Sequence, residues 1–448
     1  MKNILLTTIF ISFSFVQFIY SQVGPVNYLD TTSATAATSM IAIDDINNDG
    51  LNEVITSIAG ASGKIGYFNQ QSNGHFTDTL TIIKNAPFAY GLKTGDFNND
   101  GFRDIIAIGG MQNEAWLFMN DGGNFPTCDT IDSGISILMN DLEVQDFDGD
   151  NDDDIVIIGQ HSIDLYRNDG NAIFTKEIIL STSSSSHSLE CLDLDAADMN
   201  NDGHIDLICA ETEGVVLYIN DGNGVFTPNY YSQIPEIGIL IESIDVDNDN
   251  DVDVIMTTNS NDTKLFLNDG NGSLSFSHIL SSIPTLKSLS SIDYNNDGLK
   301  DLYLSYEHTI AVFLNDTQNN FNTEVEIHHD TTLIMGYVCT GEIDHQNGED
   351  YIWSGGNKKL AYHINQSSLY LDKNFLTTPK LIYPNPSSSK ININAETPII
   401  QSKICSIDGA LMLKSNKHSI DIRKLQKGSY ILIIETKKNT LRKRFIKQ

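Results

Sequence analysis

Basic residues are scarce in this sequence. Its 448 residues hold 27 Lys and Arg against 59 Asp and Glu, a formal net charge of −32. Binding to nucleic acid needs a basic surface that neutralises phosphates, so a nucleic-acid partner is disfavoured. Free cations, or neutral ligands such as sugars, suit an acidic surface better.

Cysteine is also rare. The five cysteines are irregularly spaced, and an odd number at this density does not make a disulfide framework. Cys191 and Cys209 lie in one repeat and could pair. Buried reduced thiols, which behave as small apolar side chains, are the alternative interpretation.

Long hydrophobic runs are almost absent. The longest extends from Ile4 to Ile19, which is shorter than the ~20 residues that a spanning helix needs. Lys2 precedes the run and Ser21 follows it, an order typical of a secretory signal peptide over residues 1–21. We therefore expect an exported protein without a transmembrane segment.

The sign of the charge changes near residue 380. Residues 380–448 carry a net charge of +10, whereas the preceding residues carry −42. A change of this kind marks a domain boundary. We predict a repeat domain over residues 22–375, a linker over residues 376–380 and a C-terminal domain over residues 381–448.

Acidic nonamers recur at intervals of 47 to 52 residues. The seven copies begin at Asp45, Asp96, Asp146, Asp198, Asp245, Asp293 and Glu342. An apolar, β-rich run follows each copy, and a second apolar run usually ends in Asn-Asp-Gly, which is a hairpin signal. Four short strands per repeat and no helical periodicity predict an all-β fold.

The predicted fold is a seven-bladed β-propeller followed by a small β-sandwich. A solenoid is the alternative, although it would need polar caps at both ends. A strand over Val26 to Leu29 is predicted to complete the seventh blade. Leu369 to Phe375 competes for that place.

The first six nonamers follow the pattern D-x-[DN]-x-D-x-x-x-[DE]. The side chains at positions 1, 3 and 5 are expected to converge in the loop. Position 7 is expected to offer its backbone carbonyl, and the carboxylate at position 9 to complete the coordination shell. Several carboxylates in an all-oxygen set suit Ca²⁺. The predicted ligands are Asp45, Asn47, Asp49, Leu51, Glu53, Asp96, Asn98, Asp100, Phe102, Asp104, Asp146, Asp148, Asp150, Asp152, Asp154, Asp198, Asn200, Asp202, His204, Asp206, Asp245, Asp247, Asp249, Asp251, Asp253, Asp293, Asn295, Asp297, Leu299 and Asp301.

These loops are not EF-hands, because position 12 is apolar and a strand follows where an EF-hand has a helix. Solvated Asp/Asn/Gly turns are the alternative interpretation. We predict about six structural Ca²⁺ ions. The seventh loop has Gln346 at position 5 and is predicted to bind weakly or not at all.

The nonamers and their hairpins resemble FG-GAP/VCBS-type repeats, as in integrin α-subunit propellers and many bacterial exported proteins. The resemblance covers residues 40 to about 375. It implies a propeller with calcium ligands at positions 1, 3, 5, 7 and 9. It says little about function.

The C-terminal domain has a signature of its own. Its elements are Tyr383-Pro384-Asn385-Pro386, a turn at Asp408-Gly409, Gly428-Ser429-Tyr430 and a basic end. It resembles the type A C-terminal sorting domain of the Bacteroidota type IX secretion system. The resemblance implies the secretion machinery as a partner, removal of the domain, and a secreted or outer cell-surface protein.

Sequence motifs of catalysis are lacking: there is no nucleophile elbow, Walker loop, dinucleotide fingerprint or His-rich zinc motif. We predict a non-catalytic, exported calcium-binding propeller that binds extracellular glycan or protein in adhesion or nutrient capture. A polysaccharide-active enzyme, such as a lyase, is the alternative.

The ligand site is predicted on the propeller face opposite the nonamers. The aromatic and histidine residues predicted there are Phe88, Tyr90, His187, Tyr230, Tyr231, His328 and His329. They suit contact with sugar or protein, and packing between blades is the alternative. His328-His329-Asp330 is a local cluster that either binds a metal or proton, or forms an exposed turn.

Overall fold

The computed structural model divides into two compact units, Met1–Ser368 and Leu369–Gln448. It describes residues 27–30, 38–58, 63–71, 74–86, 89–109, 113–133, 135, 139–159, 162–181, 191–212, 214–231, 236–295, 297–316, 318–329, 335–341, 343, 350–355, 359–363, 382–383, 389–393, 399–406, 411–436 and 440–447. The predicted boundaries near residues 375 and 381 lie outside the described residues.

Seven four-stranded antiparallel sheets, the blades, make up the first unit. The strands are β1 (Asn27–Asp30), β2 (Thr38–Asp44), β3 (Glu53–Ile58), β4 (Lys64–Phe68), β5 (Thr81–Asn85), β6 (Ala89–Gly95), β7 (Asp104–Gly109), β8 (Glu114–Met119), β9 (Thr127–Ser133), β10 (Met139–Gln145), β11 (Asp154–Gly159), β12 (Ser162–Asn168), β13 (Phe174–Ser181), β14 (Asp193–Ala197), β15 (Asp206–Glu211), β16 (Gly214–Asn220), β17 (Phe226–Tyr231), β18 (Gly238–Ile244), β19 (Asp253–Thr258), β20 (Asp262–Asn268), β21 (Leu274–Ser282), β22 (Leu286–Ile292), β23 (Asp301–Tyr306), β24 (Thr309–Leu314), β25 (Thr323–His329), β26 (Met335–Gly341), β27 (Asp350–Gly355) and β28 (Lys359–His363).

Blade one comprises β2–β5, and each of blades two to six takes the next four strands in order. Blade seven comprises β26, β27, β28 and β1. The first strands of neighbouring blades contact one another in a closed cycle, from β2 through β6, β10, β14, β18 and β22 to β26, which contacts β2 again. The prediction of a seven-bladed propeller is thereby confirmed. The first strands therefore surround the propeller axis, along which a propeller has its central channel.

The seventh blade is completed by the N-terminal strand. β1 pairs antiparallel with β28, with Asn27 opposite Tyr362 and Asp30 opposite Lys359. The predicted closing strand is therefore present, one residue later than expected. The competing segment from Leu369 to Phe375 lies outside the described residues.

The second strand of each blade forms the core. In β3, β7, β11, β15 and β19 every residue is buried. A blade packs against a neighbour on both faces, so its second strand is buried along its whole length and does not alternate between buried and exposed residues. Cys191 and Cys209 are buried in the core as reduced thiols and do not form a disulfide.

The connections define two faces. A nonamer joins the first strand to the second, and the Asn-Asp-Gly hairpin joins the third to the fourth, so both lie on one face, here called the loop face. First strands begin at the opposite face. No helix among the described residues has the length and hydropathy needed to cross a membrane.

The second unit consists of two small sheets. Its strands are β29 (Ile382–Tyr383), β30 (Lys390–Ile393), β31 (Ile399–Ser406), β32 (Leu411–Ser415), β33 (Ser419–Asp421), β34 (Gly428–Thr436) and β35 (Thr440–Lys447). The sheet order is β29-β30-β33 and β32-β31-β34-β35. Ile391 and Ile420 of the first sheet share one core with Ile404 and Leu432 of the second, as expected of a small sandwich.

Candidate functional site

Each nonamer loop turns its carboxylates inward by bonding them to its own backbone. In blade two, Asp96 accepts the N–H groups of Asp100 (3.1 Å) and Gly101 (3.0 Å). The N–H of Phe102 donates to Asp100 Oδ1 at 2.9 Å. Asn99 and Gly101 have φ of 56° and 88°, and Asn and Gly are the residues that most readily adopt such left-handed conformations.

The same arrangement recurs along the chain. The equivalent bonds to the first aspartate occur in loops one, four, five and six. Loop three is slightly different, because Asp146 accepts the N–H groups of Gly149 (2.8 Å) and Asn151 (2.9 Å). Backbone donors thus hold the first carboxylate in every one of the six loops.

The carboxylate at position 9 begins the second strand and is buried. Asp206, with no exposed surface, accepts the N–H of Met199 at 2.9 Å and that of Asn220 at 2.7 Å. Burial and, less strongly, the carboxylates of Asp202 and Asp198 raise its pKa to about 6, although the two N–H bonds lower it. Burial likewise raises the pKa to about 7 in Glu53, Asp104, Asp154, Asp253 and Asp301. A bound cation would reverse this effect, because it favours the ionised form.

Two loops bring three carboxylates together. The oxygens of Asp146, Asp148 and Asp154 lie within 4.8 Å of one another, and so do those of Asp245, Asp247 and Asp253. Calcium–oxygen bonds are about 2.3–2.6 Å, so oxygens on opposite sides of an ion are at most ~5 Å apart. The donor set and its spacing therefore fit Ca²⁺.

Position 7 contributes no side chain to the loop centre in loops three and five. Asp152 accepts the side-chain amide of Asn99 at 2.6 Å, and Asp251 accepts that of Asn201 at 2.8 Å. These contacts reach from one blade to the next. They leave the backbone carbonyl as the group that position 7 can offer, and the full ligand set stays a prediction.

The seventh loop is only partly described. Gln346 lies outside the described residues. Asp350, at position 9, is buried and accepts the N–H of Ile343 at 2.8 Å, as its counterparts do in the other loops.

Sequence reasoning missed a second role of the hairpin asparagine. Asn220 donates to Phe147 O of the preceding blade (2.7 Å) and to Ile205 O of its own blade (3.0 Å). The equivalent bonds to the preceding blade come from Asn120, Asn168, Asn268 and Asn315. Gln70 takes this position in blade one and donates to Ile343 O of blade seven. One signal was available: Asn315 is retained in a hairpin that has lost its glycine.

The first strands carry a second group of carboxylates, around the channel. Lys93 Nζ lies 2.7 Å from Glu143 Oε1. The carboxylates of the other acids accept backbone N–H groups of the next blade: Asp193 accepts from Ile241 (2.8 Å) and Asp195 from Ser243 (2.6 Å). These first strands are sheet edges with unpaired N–H groups, so the acids satisfy donors that no fifth strand covers.

The face opposite the loops matches its prediction only in part. Tyr90 and Tyr230 are 46% and 58% exposed. His328 and His329 do not converge, because neighbours in a strand point to opposite sides. The ring of His328 packs against Trp353, and that of His329 contacts the hydroxyl of Thr309. Phe88, His187, Asp330 and the side chain of Tyr231 lie outside the described residues.

Sequence reasoning also missed apolar residues at the channel mouth on this face. Leu192, Ile239 and Tyr337 lie at the start of three first strands and are 36%, 36% and 44% exposed. The pKa of Tyr337 is raised by burial and, less strongly, by the charges of Asp193 and Asp141.

Comparison with known families agrees with this architecture. An FG-GAP-like repeat model matches residues 45–107, 146–196, 198–239 and 245–304. A secretion system C-terminal sorting domain matches residues 381–448. The chain combines FG-GAP-like repeats with a type IX secretion sorting domain. This FG-GAP repeat protein is therefore secreted or displayed at the cell surface.

Solved structures similar to the FG-GAP repeat protein share its fold at low identity. A lectin from Agrocybe aegerita that recognises non-reducing terminal N-acetylglucosamine is 18% identical, with a TM-score of 0.52 over 66% of this chain and 82% of the lectin. BBS1N, in complex with ARL6DN, is 8% identical, with a TM-score of 0.55 over 76% of this chain and 98% of that chain. No curated protein matches the sequence.

Proposed function

We propose that the FG-GAP repeat protein is a non-catalytic, calcium-stabilised binding protein of the cell exterior, and that its ligand is a glycan without acidic groups. The observation that carries the proposal is the channel mouth on the face opposite the loops. There, the exposed Tyr90 lies on β6, next to β10 with Asp141, and the exposed Tyr337 lies on β26 of blade seven. The carboxylates of Asp141 and Asp193 belong to β10 and β14, first strands that line the same channel.

Aromatic rings next to carboxylates suit the two surfaces of a sugar. The apolar face of a pyranose stacks on a tyrosine ring, and its hydroxyl groups donate to carboxylate oxygens. The acidic channel would repel uronic acids or sulfated sugars. The similar lectin recognises a terminal N-acetylglucosamine, a neutral sugar, and supports this class of ligand.

Calcium has a structural role in this proposal. The loops that hold the carboxylates face away from the channel mouth, on the loop face. Residues at positions 1, 3, 5 and 9 would supply carboxylate or amide oxygens, and position 7 a carbonyl oxygen. The ion would neutralise carboxylates that otherwise repel one another across less than 5 Å.

A lyase is less consistent with the channel. A catalytic base has to be free to reach a substrate proton. Asp193 and Asp195 are each bonded to the backbone of the next blade, and Glu143 is bonded to Lys93. These carboxylates therefore bond to neighbouring blades and are not free to act as a base.

A glycan array probed with the purified propeller, with and without calcium, tests the proposal. We expect binding to neutral glycans that Tyr337→Ala weakens at least tenfold and that Ile178→Ala does not change. Ile178 is 61% exposed on the outer strand of blade three and is the matched control. Preference for acidic glycans, or equal loss in both variants, would contradict the glycan assignment. Unsaturated cleavage products from a bound glycan would favour the lyase.

A further inference from the structure

Loops three and five form a natural pair. Both have aspartate at positions 1, 3, 5, 7 and 9, and both bring the carboxylates of positions 1, 3 and 9 together. On charge and donor type alone they would bind calcium equally.

The two loops differ in what touches the position 3 aspartate. In loop three, Arg167 Nη1 donates to Asp148 Oδ2 at 2.8 Å. In loop five, Oδ2 of Asp247 accepts instead from the neutral side-chain amide of Asn319, at 3.3 Å. The blade-five residue equivalent to Arg167 is Leu267, because each directly precedes the hairpin asparagine.

Arg167 is held in place by a built site. Its Nη2 donates to Asn223 O of the next blade at 2.7 Å, and its Nε lies 3.2 Å from Glu177 Oε1. A Cβ added at Gly224 would meet the guanidinium at 2.6 Å, so only glycine leaves room for it there. The side chains of Arg167 and Asp148 are 19% and 16% exposed, so their ion pair is largely protected from solvent.

We propose that Arg167 is a resident counter-ion of loop three, which holds one ligand oxygen of Asp148 and sets the calcium affinity of this loop below that of loop five. The proposal rests on the calcium binding proposed above. Calcium at loop three has to compete with a cation that is part of the chain. Loop five has no such competitor among the described contacts.

The guanidinium also replaces part of what calcium does. Without calcium, loop three keeps one neutralised carboxylate, whereas the carboxylates of loop five repel one another unscreened. Loop three should therefore stay more ordered than loop five in chelator, and respond to calcium at higher concentration. A partly exposed ion pair corresponds to about a fivefold difference in affinity.

Hydrogen exchange resolved by peptide, over a calcium titration of the whole protein, tests this. Peptides covering residues 146–154 and 245–253 report the two loops separately. In the wild-type chain we expect loop five to become protected at about fivefold lower calcium than loop three. Arg167→Leu, which copies blade five, should lower the midpoint of loop three to that of loop five and leave loop five unchanged. Arg167→Lys, which keeps the charge, should resemble the wild type.

The outcomes separate the two proposals. Equal midpoints of both loops in the wild type, or an unmoved loop-three midpoint in Arg167→Leu, would overturn the role of Arg167 while calcium binding stands. Calcium protection of neither loop would overturn calcium binding itself, and the role of Arg167 with it. The wild-type comparison needs no variant, so a misfolded Arg167→Leu chain does not prevent a decision.

Discussion

The nonamer loops and the central channel both concentrate carboxylates, but they hold them in opposite ways. In the loops, backbone donors of the same loop orient the carboxylates towards a common point, as Gly203 and Asp202 do for Asp198. In the channel, the donors belong to the next blade, as for Asp193 and Ile241. The first arrangement leaves a shared centre for a cation, and the second joins blades through their strand edges. The same residue type therefore serves metal binding on one face and edge protection along the axis.

Calcium removal should have the largest effect, and it should act on the nonamer loops rather than on the channel. A ligand present at ten times its dissociation constant stabilises the folded state by about 1.4 kcal/mol per site, or on the order of 8 kcal/mol for six sites. We expect chelation to lower the melting temperature of the propeller strongly, with the nonamer loops exchanging amide hydrogens first. Calorimetry in calcium and in chelator measures this. Identical melting curves would show that the loops are solvated turns.

Removing a hydrogen bond between blades should have the second largest effect on stability. Asn220 is 1% exposed and makes bonds to two blades, so Asn220→Ala should destabilise the propeller by about 3 kcal/mol, whether or not calcium is present. Asn223→Ala, at an exposed position of the same hairpin, is the control. If the loss of stability caused by Asn220→Ala disappears in chelator, Asn220 belongs to the calcium site instead.

The buried acids of the channel should make the free energy of unfolding decrease as pH rises. Burial raises the pKa of Glu143 to about 7 and that of Glu242 to about 8. Their folded-state values lie above the unfolded value near 4.5, so the folded state binds more protons, and stability decreases between pH 5 and 8 by about 1.4 kcal/mol per unit for each proton lost. Measurement in saturating calcium keeps the loop carboxylates ionised.

Glu242 lies on β18, the first strand of blade five. Glu242→Gln should flatten this pH dependence, because it removes one of the channel acids whose pKa is raised. Glu326→Gln, at an exposed position of β25, should leave the profile as it is. Urea unfolding at pH 6, 7 and 8 provides the measurement. A Glu242→Gln profile as steep as the wild type would mean that the channel is not its source.

Removal of residues 381–448 should have the smallest effect on either region. The chain divides near residue 368, so calcium binding and propeller melting should not change on deletion. In a host with type IX secretion, the same deletion should retain the protein in the periplasm. Mass spectrometry of the exported wild-type chain should find an end near residue 380. An intact Gln448 on most surface molecules would show that the domain is not removed.

Local features were predictable from the sequence. The bonds to the first aspartate of each nonamer join residues at most five positions apart, such as Gly101 and Asp96. The strands follow directly from the apolar runs beside the nonamers. Contacts between blades were not predictable. Asn220 and Phe147 are 73 residues apart, and Asp193 and Ile241 are 48 apart, so only the stacking of blades brings them together. The closing strand β1 is the exception. Its distance along the chain from the first nonamer indicated that it is a fourth strand without its own blade.

Closure by β1 has a consequence for the order of folding. Asn27 pairs with Tyr362, so the ring is completed by residues from nearly opposite ends of the repeat domain. Pairings this distant in sequence are slow, because the chain loses the entropy of a long loop before it gains the contacts. During synthesis, which proceeds from the amino terminus, β1 has no partner until the last blade follows. The growing chain therefore passes through a stage in which six blades can form while the circle is open.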